Sequence, residues 1–449
     1  MKQILFLLLL LCSGTLSAQT QIIHRNPVIE QMISEISSEN LENHVRKLSS
    51  FRTRHSLSKA NPAEGIQASF DYVLQQFKTF EAGSNGRLSS YIDYFTVPAD
   101  GRRIPNDVKM GNVMGTLKGT DPSDNRVFII SAHIDSRALD VMNAEIDSPG
   151  ANDDGSGVAA IIELARIMSK KSFPATIIFV AVSGEEQGLK GAAYLAEKAK
   201  KEDWNLVAML NNDMIGNSNS SQTNINDNTR VRIFSEGVPA AETERMAAIR
   251  RYTNGENDSQ SRQLARYMKE VGERYVDQLE VKLVYRNDRF LRGGDHTPFA
   301  QQGFTAIRVC EMNENYYRQH ENVRFENGIQ YGDLPEFVDY EYMRKVTGIN
   351  LASLASMASA PSDPQNVGID VRRLSNTSTL RWEAPAHGKA KGYFVLMRET
   401  DASMWQKKFY TEELTLTIPY SKDNYFFAVQ AVGENGAESL AVFPQPITR

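Results

Sequence analysis

Between Met110 and Val309, short apolar runs rich in Ile and Val alternate with segments of helical spacing. This alternation constrains the fold more than any other feature of the chain. Strands are expected over 126–132, 175–182, 207–211, 231–234, 281–285 and 305–309, and helices over 157–169, 189–200 and 261–279. Strands that are apolar throughout, rather than on alternate residues, are covered on both faces, as in parallel sheets. The pattern predicts an α/β fold with a mostly parallel central sheet flanked by helices. Upstream, Val28-Ile29, Met32-Ile33 and Ile36, then Phe70, Val73-Leu74 and Phe77, recur at helical spacing. The Asn- and Ser-rich stretch 217–228 reads as a surface loop.

The two ends differ from this middle. After Ala360, Pro361-Ser362-Asp363-Pro364 reads as a linker, and the rest shows period-two strands around Trp382, Tyr393–Leu396, Leu414–Ile418 and Tyr425–Val429. This small all-β sandwich resembles a fibronectin type III domain, with Trp382 on an early core strand and Tyr425–Val432 as the penultimate one. At the other end, Lys2, an apolar run from Ile4 to Cys12 and the small residues Ser13–Ala18 fit a signal peptide cut after Ala18. The expected layout is therefore 1–18 signal peptide, 19–360 main domain and 361–449 sandwich, in a protein exported to the periplasm or beyond. Without residues 1–18 the only cysteine is Cys310, in an apolar run, so no internal disulfide is available.

Charge excludes other classes. Fifty Lys+Arg against 55 Asp+Glu give a formal net charge of −5, with no basic surplus to track phosphates and no nucleic-acid partner expected. No run approaches the roughly 18 apolar residues of a membrane span. Neither a Gly-x-Ser-x-Gly elbow nor a P-loop is present, so serine hydrolase and nucleotide chemistry lack support.

Five segments instead carry metal-ligand chemistry. In His133-Ile134-Asp135, at a strand end, alternate residues share a face, and the carboxylate is placed to orient the ring of a ligating histidine. Gly150-Ala151-Asn152-Asp153-Asp154-Gly155-Ser156-Gly157 opens a helix. Its acids suit helix caps, but capping does not require glycine on both sides. In Gly184-Glu185-Glu186-Gln187-Gly188, one glutamate can bind metal while the other takes a proton. Asn212-Asp213-Met214 and Gln319-His320-Glu321 follow further strands, where open α/β sheets place their sites. Three carboxylates and two histidines suit zinc, and suffice for two ions if one carboxylate bridges them.

As an ordered set, these segments resemble the two-zinc secreted aminopeptidases, a family related to glutamate carboxypeptidase II and, as an inactive relative, the transferrin receptor. Arg292-Gly293-Gly294-Asp295-His296-Thr297-Pro298-Phe299 is similar to that family's Ser-Asp-His-x-Pro-Phe segment. The resemblance covers roughly residues 40–350. It implies the zinc-exopeptidase fold and two zinc ions. His133 and Asp213 would sit on one ion and Glu186 and His320 on the other, with Asp153 bridging. It further implies Glu185 as general base and Asp135 as the partner orienting His133. The implied activity is removal of N-terminal residues from peptides. A carboxypeptidase or dipeptidase of the same fold and a non-catalytic receptor or adhesion relative are the rivals. Three departures stand out: Glu321-Asn322-Val323-Arg324 follows His320 where relatives have Thr or Ser and then Asp, Gly293-Gly294 replaces a small polar residue, and 217–279 matches little.

Overall fold

The computed structural model describes residues 25–448, so the expected signal peptide lies outside the described residues. Three helices come first: α1 (Pro27–Ser34), α2 (Ser38–Ser49) and α3 (Gly65–Glu81). Asn26 and Ser37 cap the first two by accepting main-chain N–H groups. The chain then alternates through β1 (Leu88–Val97), β2 (Val108–Leu117), β3 (Arg126–His133), α4 (Gly155–Met168), β4 (Thr176–Val182), α5 (Lys190–Lys201), β5 (Asn205–Asn212), β6 (Arg230–Phe234), α6 (Glu244–Thr253), α7 (Gln260–Tyr275), β7 (Glu280–Val284), α8 (His296–Gln301) and β8 (Ala306–Glu311). A small hairpin of β9 (Arg324–Glu326) and β10 (Ile329–Tyr331) precedes the long helix α9 (Tyr340–Ser359).

Strands β1 to β8 form one sheet in the order β1-β2-β4-β3-β5-β8-β6-β7. Its centre, β4-β3-β5-β8, is parallel throughout, while β1, β2 and β6 join antiparallel. All four central strands therefore end at the same edge. Alternate residues divide the apolar load between faces. Phe128, Ile130, Ile177, Phe179 and Leu210 pack with α4, α7 and α9, whereas Ile129, Ile178, Val180 and Met209 pack with α5 and α8. Thirteen of the fourteen residues of α4 are buried, so truncating a central side chain such as Leu210 to Ala costs about 2–5 kcal/mol.

The remaining strands are β11 (Gln365–Asp370), β12 (Ser378–Glu383), β13 (Ala390–Glu399), β14 (Lys407–Thr411), β15 (Thr415–Ile418), β16 (Tyr425–Gly433) and β17 (Gln445–Ile447). They make a four-stranded sheet, β15-β12-β11-β17, and a three-stranded one, β14-β13-β16. Leu380, Trp382, Val395, Phe427 and Val429 fill the space between them, and the Trp382 ring lies 5.4 Å from that of Tyr393. Buried charge ties these strands to the main sheet's helices. Asp258 is 3.0 Å from Arg266 of α7 and 2.6 Å from Arg398 of β13, and Glu438 is 2.8 Å from Arg274 of α7. Among the described residues no helix is long and apolar enough to cross a membrane.

Candidate metal centre

The C-terminal edge of the four parallel strands gathers all five segments. His133 ends β3, Glu185 and Glu186 follow β4, Asp213 follows β5, and His320 comes from the loop after β8. Asp153 sits just ahead of α4, in the connection that brings the chain back from β3. Glycine is needed around it for steric reasons. A Cβ on Gly150, whose φ is +51°, would lie 2.5 Å from the Asp153 carbonyl, and one on Gly157 would lie 2.5 Å from Asp154 Oδ2.

Two donor triads result. His133, Asp153 and Asp213 bring ligand atoms within 4.8 Å of one another, and so do Asp153, Glu186 and His320, with Asp153 common to both. Asp153 Oδ1 is 3.0 Å from His133 Nε2, and Oδ2 is 2.9 Å from His320 Nε2. Glu186 Oε1, also 2.9 Å from His320 Nε2, is buried without a hydrogen-bond partner among the described residues. Three buried carboxylates this close repel one another unless cations compensate them. Nitrogen and oxygen donors of this kind fit zinc. The orphaned Glu186 oxygen is the atom a cation would satisfy.

The surrounding residues hold these donors. Asp154 belongs to neither triad. Its carboxylate accepts the N–H groups of His133, Gly157 and Met214, locking three segments together. Asp135 behaves differently from the sequence expectation. Its main-chain carbonyl, 3.0 Å away, meets His133 Nδ1, while its carboxylate stands 3.9 Å off. The carboxylate oxygens instead accept the N–H groups of Glu185 (3.2 Å) and Glu186 (3.1 Å), so Asp135 orients the ring through its backbone and the glutamate pair through its side chain.

Several supporting residues carry no local sequence signal. Arg54, fully buried, donates to the carbonyls of Ile134, Pro149 and Gly150 and pins the turn before Asp153. Asp333 accepts the N–H groups of Asn152 and Asp153, and burial pushes its carboxyl up to about 6. Arg137 donates from Nε to Glu186 Oε2 (2.9 Å), and its Nη2 lies 2.6 Å from His320 Nδ1. Arg308 Nη2 is 2.8 Å from Asp213 Oδ1. Only Arg308 left a trace, as a charge inside the apolar run of β8.

The triads open into a cleft of about 430 Å³ that Glu185 also lines. Burial pushes the Glu185 carboxyl well above its usual range, opposed by His133 and reinforced by Glu186 and Asp213. Asp295, buried nearby, has neither carboxylate oxygen paired among the described residues, and burial raises it to about 8. His296 belongs to neither triad, and its Nε2 meets the Asn287 carbonyl at 2.7 Å.

The model of peptidase family M28 matches residues 112–327, which span all five donor segments. A protein of Leptosphaeria maculans named "Probable zinc metalloprotease" is 44% identical over 420 residues, covering 93% of this chain and 97% of that one. The fold is similar to that of the LapA aminopeptidase of Legionella pneumophila, with a TM-score of 0.53 at 18% identity over 75% of this chain and 76% of that one. LapB from the same organism has a TM-score of 0.53 at 17% identity, again over 75% of this chain and 76% of that one. With its donor triads inside the matched span and its length shared almost end to end with such relatives, the chain belongs to peptidase family M28 and is a metallopeptidase.

Proposed function

We propose that this metallopeptidase is an exported aminopeptidase that removes N-terminal residues from peptides with two zinc ions. The observation that carries the reading is the pair of triads sharing Asp153, with Glu185 lining the same cleft. His133 and Asp213 would hold one ion, Glu186 and His320 the other, and Asp153 both. Two zinc ions there would supply Lewis acidity, acidifying bound water and polarising the scissile carbonyl.

The chain's own residues do the rest. Glu185 takes a proton from the attacking water at its carboxylate and returns it to the leaving amine. Asp135 keeps Glu185 and Glu186 in place through their N–H groups. Burial around the triads keeps bulk water off the ligands and strengthens each charge interaction. In this reading residues 1–18 are the export signal and the protein acts in the periplasm or outside the cell. Residues 19–360 form the peptidase domain, related to glutamate carboxypeptidase II, and 361–449 a fibronectin type III-like domain. The sandwich core around Trp382 supports that last assignment.

The test pairs zinc content with hydrolysis of a panel of aminoacyl-anilides by the wild type and Glu185→Ala. Two zinc ions per chain and activity lost in the variant are expected. Zinc-loaded protein that leaves anilides and free-amino peptides intact would overturn the aminopeptidase reading. Cleavage confined to substrates with a free carboxyl end would replace it with the carboxypeptidase or dipeptidase one.

A further inference from the structure

Four arginines line the metal cleft: Arg103, Arg137, Arg289 and Arg292. The carboxylates facing it are Asp153, Glu185, Glu186 and Asp213, each a proposed metal ligand or the proposed base. With cations in the triads, none of these acids is left to balance the guanidinium groups. Apolar lining is sparse and amounts to Leu189, Leu291 and the ring of Tyr316. A cleft built this way offers little surface against which a leucine-like side chain gains by burial.

The imbalance is greatest around Arg292. Glu314 alone receives Arg232 at 2.8 Å, Arg289 at 3.0 Å and Arg292 at 3.2 Å. Asp288 receives Arg289 at 3.1 Å and Arg308 at 3.0 Å, and Arg308 reaches on to Asp213. Four guanidiniums thus share two carboxylates and one proposed metal ligand. Arg289 is committed to both acids and its side chain is only 10% exposed, whereas Arg292 makes its single ion contact with Glu314 and is 32% exposed. Arg292 therefore has donors free to face the cleft.

We infer that this cleft selects substrates carrying a carboxylate beside the scissile bond, and that Arg292 receives it. The inference rests on the peptidase reading above and names its substrate class. A guanidinium fork meets a carboxylate with two charge-assisted hydrogen bonds, a geometry that an amide or an apolar side chain cannot return. The carboxylate has two possible sources, an acidic N-terminal side chain or the free carboxyl end of a short peptide.

The experiment compares kcat/KM for a Glu-anilide with a Gln-anilide, and for a dipeptide with its C-terminal amide, in wild type, Arg292→Gln and Arg292→Lys. One pair is expected to show a preference of about ten- to a hundredfold for the carboxylate, the worth of one or two charge-assisted bonds. Arg292→Gln should abolish that ratio and Arg292→Lys retain part of it. The pair that responds identifies the source. Active enzyme with ratios near one in both pairs, or a ratio untouched by Arg292→Gln, overturns the inference while the peptidase reading stands. Calorimetric binding of free glutamate against glutamine, and of an all-D dipeptide against its C-terminal amide, separates the two failures. If no substrate is cleaved, tighter binding of the carboxylate member of either pair, lost in Arg292→Gln, still supports the inference, and equal binding in both pairs rejects it.

Discussion

Arg308, fully buried in β8, sets its Nη2 2.8 Å from Oδ1 of Asp213 and its Nη1 3.0 Å from Asp288. A guanidinium touching a proposed metal ligand fixes the carboxylate's direction, although it also competes for its charge. Although burial pushes the Asp213 carboxyl upward, Arg308 and His133 hold it below its usual range. Partners that orient a ligand in this way typically carry 10–100-fold in metal affinity. Arg308→Gln should therefore weaken zinc at the His133–Asp213 position by about that factor. Competition with a chromophoric chelator would measure it. Unchanged affinity in a folded variant would mean that Asp213 is held by the strand alone.

Asp153 is the one residue common to both triads, so its loss should differ in kind from that of the other ligands. Asp153→Asn is expected to reduce both zinc positions together. Asp213→Asn or Glu186→Gln should each leave roughly one ion per chain bound, since the other triad keeps its donors. Metal content by mass spectrometry after dialysis distinguishes these patterns. If Asp153→Asn keeps one full equivalent, the carboxylate does not bridge.

Burial lowers the His44 imidazole to about 4, with Arg166 adding to the effect and Glu163 opposing it. His44 lies on α2 with Nδ1 2.6 Å from the Tyr72 hydroxyl. The native state therefore holds this histidine neutral where the unfolded chain would protonate it. Its contribution to stability is complete above pH 6.5 and is lost as pH falls toward 4. At about 1.4 kcal/mol per unit the full loss is roughly 2–4 kcal/mol. His44→Gln should flatten the dependence of the melting temperature on pH across that window. An unchanged slope would show that His44 takes up its proton over the same pH range in the folded and unfolded states.

How much of this was legible in the sequence follows from how locally each feature is encoded. Strands β3, β4, β5 and β8 are continuous apolar runs, and their bounds were readable to within a few residues because both faces are covered. Strands β1 and β2 escaped because their polar and apolar residues mix, β1 having one largely exposed face. Helix α9, with fifteen of its twenty residues buried, has no polar stripe to give a helical period. The ligand candidates were visible because glycines and acids cluster on short turns. Arg54 and Asp333 were not, since their partners lie 80 or more residues away. The part Asp135 plays was legible only in outline, because its side chain serves the Glu185–Glu186 backbone rather than the ring it follows.

The C-terminal strands are joined to the main sheet's helices through Asp258, whose two oxygens face Arg266 of α7 and Arg398 of β13 at 3.0 and 2.6 Å. All three side chains are almost fully buried, and the Trp405 ring packs against both guanidiniums, 5.7 and 5.4 Å away. Removing the shared acid leaves two buried cations facing each other, which costs about 3–5 kcal/mol. Asp258→Ala should therefore separate the unfolding of the two parts. Calorimetry is expected to resolve an early transition from the sandwich and a later one from the zinc-stabilised main sheet, where the wild type gives one. Added zinc should move only the later transition, because only the state that binds the ion gains from it. If the variant still melts in a single step that zinc shifts as a whole, the Glu438–Arg274 contact is enough to couple them.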